Sequence, residues 1–235
     1  MLPLAPPHRS CSPWRGDFVS RRRPTLCAIS SIVLPACGTL GRVSLFDWAV
    51  FLLWLMFFPI PFFWLVVHPF VDFWRKRRGR TYLAMAVLLW LVMGYSFTAT
   101  RAFWFGARFQ RHAFTYLLGA ALVAVELVVT PRAGGALGHA ILVGRAEIDP
   151  QQYPPRLVDT GIYTRVRHPR YLSAMAVLMG LAMLAGAPRL LALAALSVPL
   201  YYLVTLVEER ELARRVGEPF RRYQQRVPRF IPRFK

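Results

Sequence analysis

Four stretches without a single Asp, Glu, Lys or Arg constrain this chain more than any other feature: residues 49–71, 81–100, 171–188 and 190–207. Each is near the roughly 20 residues an α-helix needs to cross the hydrocarbon core of a bilayer. A fifth apolar stretch, 113–130, is interrupted only by Glu126. A helix that is apolar all round has no face for water, and 56% of the chain is hydrophobic. The sequence therefore predicts an all-α, polytopic membrane helix bundle of about five transmembrane helices.

The net charge of +19 would suit a nucleic-acid binder, so its placement decides the matter. Residues 75–80 (RKRRGR) hold five basic residues, 131–170 hold six, and 209–235 hold nine. Basic residues gathered between and after apolar runs are those of cytoplasmic loops facing anionic headgroups. Membrane lipids are thus the expected partners and nucleic acid is excluded. The same bias puts 75–80, 131–170 and the C-terminus on the cytoplasmic side and Arg101, Arg108, Arg111 and Arg189 on the other. The chain reads as an integral protein of a bacterial inner membrane.

Residues 1–43 stand apart. They are rich in Pro and Ser, pass through Arg21, Arg22 and Arg23, and hold all three cysteines, Cys11, Cys27 and Cys37. They read as a disordered or processed extension with a loose likeness to a signal peptide. The remainder has no disulfide framework and no thiolate metal site. It divides into 44–149, the first three membrane helices and a loop, and 150–235. The sequence does not give the oligomeric state.

Within the first part, Pro59 and Pro61 (FFPIPFF) should kink or break the first span, expected at about 47–69, with neighbouring helices satisfying the freed backbone. Glu126 is expected in the last turn of a span ending near residue 130, within reach of headgroups. After it, 131–170 carries Gly134, Gly135, Gly138, Pro150, Pro154 and Pro155 and reads as a long functional loop.

The fourth and fifth spans carry the most geometry. At 1.5 Å per residue they are about 25 and 27 Å long, and Gly186, Ala187 and Pro188 leave room only for a tight turn. The residues before Tyr171 must then lie at the same face as those after Val207. One end is LVDTGIYTRVRHPRY, Leu157 to Tyr171, where Pro169 opens a helix whose first amides face the loop and suit an anion. The other is VEERELARRVGEPF, in which Glu211 should pair with Arg214 or Arg215 while Glu208 and Glu209 have no obvious partner.

RHPRY after LVDTGIY, a helical hairpin, the EE pair and then GEPFRRYQQRVPRFIP resemble the isoprenylcysteine carboxyl methyltransferase and phospholipid methyltransferase group of membrane enzymes. The resemblance covers about residues 150–235. It implies S-adenosylmethionine as cofactor, a cytoplasmic cofactor site and a lipid or isoprenoid-like methyl acceptor. It implies further that Leu157 and Val158 line the adenine end, that Tyr163 and the run His168, Pro169, Arg170 and Tyr171 wrap the cofactor, and that Glu208 binds it. Arg167, His168 and Glu209 are the implied catalytic neighbours. One position departs from the prenylcysteine enzymes, which carry an arginine one turn before the glutamates where this chain has Val204.

These residue types fit such a cofactor. Arg167 or the helix start suits its carboxylate, Glu208 or Glu209 its ammonium or ribose, and Tyr163 or Tyr171 its sulfonium. No GxGxxG, P-loop or HExxH pattern competes. Two rivals share features: an NADPH-dependent membrane reductase of the steroid 5-alpha-reductase type, with a similar RHPxY segment, and a haem-binding protein using His68, His112, His139 or His168.

Overall fold

The computed structural model describes residues 44–77, 80–138, 141, 144–154 and 156–232. The expected extension, its cysteines and His139 lie outside them. Among the described residues the regular structure is helical: α1 (Leu45–Phe57), α2 (Ile60–Val67), α3 (Val71–Lys76), α4 (Arg80–Ala99), α5 (Arg101–Gly106), α6 (Ala113–Leu137), α7 (Arg145–Ile148), a 3₁₀ turn (Gly161–Thr164), α8 (Pro169–Ala185), α9 (Pro188–Arg215) and α10 (Glu218–Arg226). Four helical stretches, Leu45–Val67, Thr81–Ala99, Ala113–Leu137 and Pro188–Arg215, are long and apolar enough to cross a membrane. The fifth expected span is α8, a shorter apolar helix. The polytopic bundle therefore has four full-length candidates and one shorter helix inside it.

The first span breaks where the prolines require. Pro61 has no N–H for the Phe57 carbonyl four residues earlier, and the Tyr201 hydroxyl of α9 donates to that carbonyl at 2.8 Å. A neighbouring helix thus satisfies the acceptor that the break frees, as membrane burial demands. At its start, Ser44 and Asp47 cap α1 reciprocally, each backbone amide donating to the other's side chain at 3.1 Å.

One sequence expectation is corrected. The third span does not end near residue 130, because α6 runs on through Pro131 to Leu137. A single proline removes one backbone donor, and helix remains the cheapest way to satisfy the rest in an apolar surrounding. Glu126 consequently sits well inside α6 instead of in its last turn. Glu211 is buried on a helix that continues to Arg215.

The core is built around α8. Ala174, Val177, Leu178, Leu181 and Ala182 pack on Val50, Phe51 and Trp54 of α1 and on Leu190, Ala194 and Tyr201 of α9. On its other side α8 meets α6 at Gly180 and Gly119, where a Cβ on Gly180 would lie 2.7 Å from the Gly119 carbonyl oxygen. Only the missing side chain permits that approach. Leu83, Leu88 and Leu91 of α4 and Leu117 and Leu127 of α6 remain exposed, as a lipid-facing surface would.

The predicted hairpin turn is present, with Gly186 at φ 66°. The last carbonyls of α8 are closed by the α5–α6 connection. Arg108 donates to Ala185 at 2.6 Å, Arg111 to Leu184 at 2.8 Å and the Phe109 amide to Gly186 at 2.9 Å. The hairpin's open end consequently brings Arg167 and His168 beside Glu208 and Glu209.

Candidate functional site

The segment after α10 folds back along the loop that enters α8. The Arg167 amide donates to the Pro228 carbonyl at 2.9 Å and the His168 amide to the Arg229 carbonyl at 3.1 Å. Since Pro169 has no N–H, any anion at this helix start must use amides from Arg170 onward. The spacing of EPFRRYQQR explains the docking of α10. Phe220 and Tyr223, three apart, bury one face against Leu157 and Leu212, while Arg221, Arg222 and Arg226 face out. Tyr223 then donates its hydroxyl to the Tyr163 carbonyl at 2.7 Å.

Glu209 is the knot of this arrangement. Its carboxylate accepts from Arg167 Nε at 2.9 Å, from Gln224 Nε2 at 3.0 Å and from Arg229 at 3.0 and 2.7 Å. His168 Nε2 lies 3.0 Å from the same carboxylate. Arg167 also donates to the carbonyls of Gln224 and Val227. One buried carboxylate thereby joins the α8 loop, α9, α10 and the returning segment.

Glu208, its neighbour, points elsewhere, because successive helical residues diverge by about 100°. It faces a cavity of about 410 Å³, within the size range of small-molecule sites. Leu157, Val158, Tyr163, Arg167, His168, Pro169, Arg170, Tyr171 and Glu208 all line it. Of the site residues read from the sequence, Glu209 alone is outside the lining. Glu208 Oε2 is buried with no hydrogen-bond partner and lies 3.7 Å from His168 Nδ1 and 4.0 Å from His68 Nε2. His168 stacks on Tyr171 at 5.6 Å between ring centroids. Burial raises the Tyr163 phenol above its ordinary pKa, keeping it a neutral wall.

The other half of the cavity comes from elements whose part the sequence did not show. Phe57, Phe63, Trp64, Trp90, Leu83 and Glu126 line it, giving an aromatic and aliphatic chamber bounded by the lipid-facing α4. Glu126 accepts from Thr130 through Oε1, while its Oε2 is buried without a partner. His68 and Glu147 line the cavity as well.

Glu147 belongs to an ion cluster. Glu211 meets Arg75 and Arg215 at 3.3 Å each, and Arg215 meets Glu147 at 3.4 Å. The expected Glu211–Arg215 pair is therefore present, joined by Arg75 from far along the chain. Burial is the largest influence on Glu147 and pushes its pKa up to about 7, against the pull of Arg215. Among the described residues no group of three or more His, Cys, Asp or Glu side chains is placed to hold a metal ion.

No curated protein matches the chain. Comparison with protein families bears out the resemblance drawn from the motifs: residues 114–218, from the start of α6 to the first residue of α10, match the family described as phospholipid methyltransferase.

Proposed function

We propose that the protein transfers a methyl group from S-adenosylmethionine to a lipid or isoprenoid-like acceptor within the membrane. The observation that carries this reading is the two-part cavity. A polar half built from the motif residues adjoins an apolar half built from membrane helices, and methyl transfer from a polar donor to a lipid needs both. A methyltransferase acting on a lipid-like substrate is also what the family match implies.

The donor would supply its sulfonium methyl group. Leu157 and Val158 give an apolar surface for the adenine, and Arg170 and the amides following it suit the carboxylate. Glu208 Oε2, buried without a hydrogen-bond partner and 3.7 Å from His168 Nδ1, suits the ammonium or the ribose hydroxyls. Tyr171 offers a π-face to the sulfonium. With Arg167 held by Glu209 and two carbonyls, its part is to fix the loop that presents His168. The walls would align the donor's methyl group with the acceptor and keep water from it.

Calorimetry on detergent-purified protein tests the donor. S-adenosylhomocysteine should bind and NADPH should not. Binding of NADPH alone would establish the reductase reading, and a Soret band in the purified protein would establish the haem reading.

The orientation follows from the charge bias and places the site on the cytoplasmic side. Reporter fusions after residues 78, 150 and 235 should all report cytoplasm. A periplasmic signal at 150 would turn the site to the other face.

A further inference from the structure

His68 is the one histidine near the cavity that no motif accounts for. It closes the C-terminal end of α2, lines the cavity and is 4% exposed. Its ring stacks on Trp64, with centroids 4.9 Å apart and 19° between planes. Both ring nitrogens are buried without a hydrogen-bond partner. Leaving two such atoms unpaired is costly, so a histidine kept only for packing would be poorly placed here. The groups facing it are Glu208 and Arg215 from α9 and His168 at the start of α8. Glu208, on the proposed donor side, is 4.0 Å from His68 Nε2, whereas Trp64 belongs to the acceptor side.

We infer that His68 is the proton acceptor of the reaction, and that the methyl acceptor is therefore an N–H or O–H nucleophile and not a carboxylate. This rests on the methyl-transfer reading above. The acceptor's lone pair forms the new bond to the methyl carbon. The carbon–sulfur bond breaks with both electrons remaining on sulfur, and the acceptor's proton passes to an imidazole nitrogen of His68. The imidazolium so formed faces the Glu208 carboxylate. A carboxylate acceptor would release no proton and leave this base without a task. Burial holds the His68 pKa below its ordinary value, so the ring is neutral and able to accept at pH 7.

The test uses the full chain in vesicles with methyl-labelled S-adenosylmethionine, in three arms: phosphatidylethanolamine, phosphatidylglycerol and oleate. Label should enter one of the first two and not oleate. His68→Gln should lower that transfer by about 100-fold, the scale of a lost general base. It should also abolish the low-pH fall of the rate, while S-adenosylhomocysteine affinity stays within threefold of wild type. The binding measurement doubles as the control for folding. Label only in oleate, label in no arm, or a His68→Gln enzyme within threefold of wild type and with the same pH profile would each overturn the inference. Failure of the methyl-transfer reading is distinguishable, since wild-type protein would then not bind S-adenosylhomocysteine.

Discussion

Glu209→Ala should destabilise the protein by about 3–5 kcal/mol, the scale on which removing one member of a buried ionic group acts. The side chain is 5% exposed, and its loss strands Arg167, which is 10% exposed, and Arg229, which is 21% exposed. Neither guanidinium can shed its charge, so each must rearrange toward water or remain buried and unpaired. The loop entering α8 and the segment after α10 lose their common acceptor together. Thermal unfolding in detergent should show a markedly lower midpoint, and S-adenosylhomocysteine binding should fall with it. Glu209→Gln, which keeps an acceptor oxygen, should fall between. A Glu209→Ala protein that melts with the wild type would refute the knot.

Glu208→Gln should behave in the opposite way. A charge-assisted hydrogen bond to a ligand in a partly desolvated pocket is worth roughly 1.5–3 kcal/mol, so S-adenosylhomocysteine affinity should drop by about one to two orders of magnitude. Stability should change little, because the substitution removes a buried charge whose Oε2 accepts no hydrogen bond and stands 3.7 and 4.0 Å from His168 and His68. Glu218, exposed at the start of α10, is the control, and Glu218→Gln should leave affinity unchanged. Glu211 cannot serve, since it belongs to the ion cluster with Arg75 and Arg215. Undiminished affinity in Glu208→Gln would remove Glu208 from the cofactor site. Adjacent residues would thus separate into one that binds and one that holds the fold.

That separation marks the limit of what the sequence could disclose. The charge-free runs gave the helices, because hydrocarbon tolerates few charges and the pattern is local. The hairpin followed from two lengths and a short turn, and the motif ends met as that geometry required. The resemblance implied Glu208 for the cofactor, but the residues alone did not separate it from Glu209, since both sit at the end of an apolar helix and only the surrounding elements decide which faces the cavity. Arg75 and Glu147 were missed, and His68 was named only as a haem candidate, for a related reason. Each lies in a segment whose local pattern says only membrane or loop, and each acquires its surroundings from α9, more than 60 residues away in sequence. The extension of α6 escaped because Pro131, Arg132, Gly134 and Gly135 lower hydropathy without ending the helix. No hydropathy window distinguishes a helix that leaves the bilayer from one that stops.

The return of residues 227–229 onto Arg167 and His168 also bears on how the protein is made. These residues are synthesised after the membrane helices described above, so those spans can insert while the pocket still lacks the contacts that hold its loop. Methyl transfer would then become possible only once translation has passed them. A nascent chain stalled earlier would be a correctly inserted but catalytically silent membrane protein.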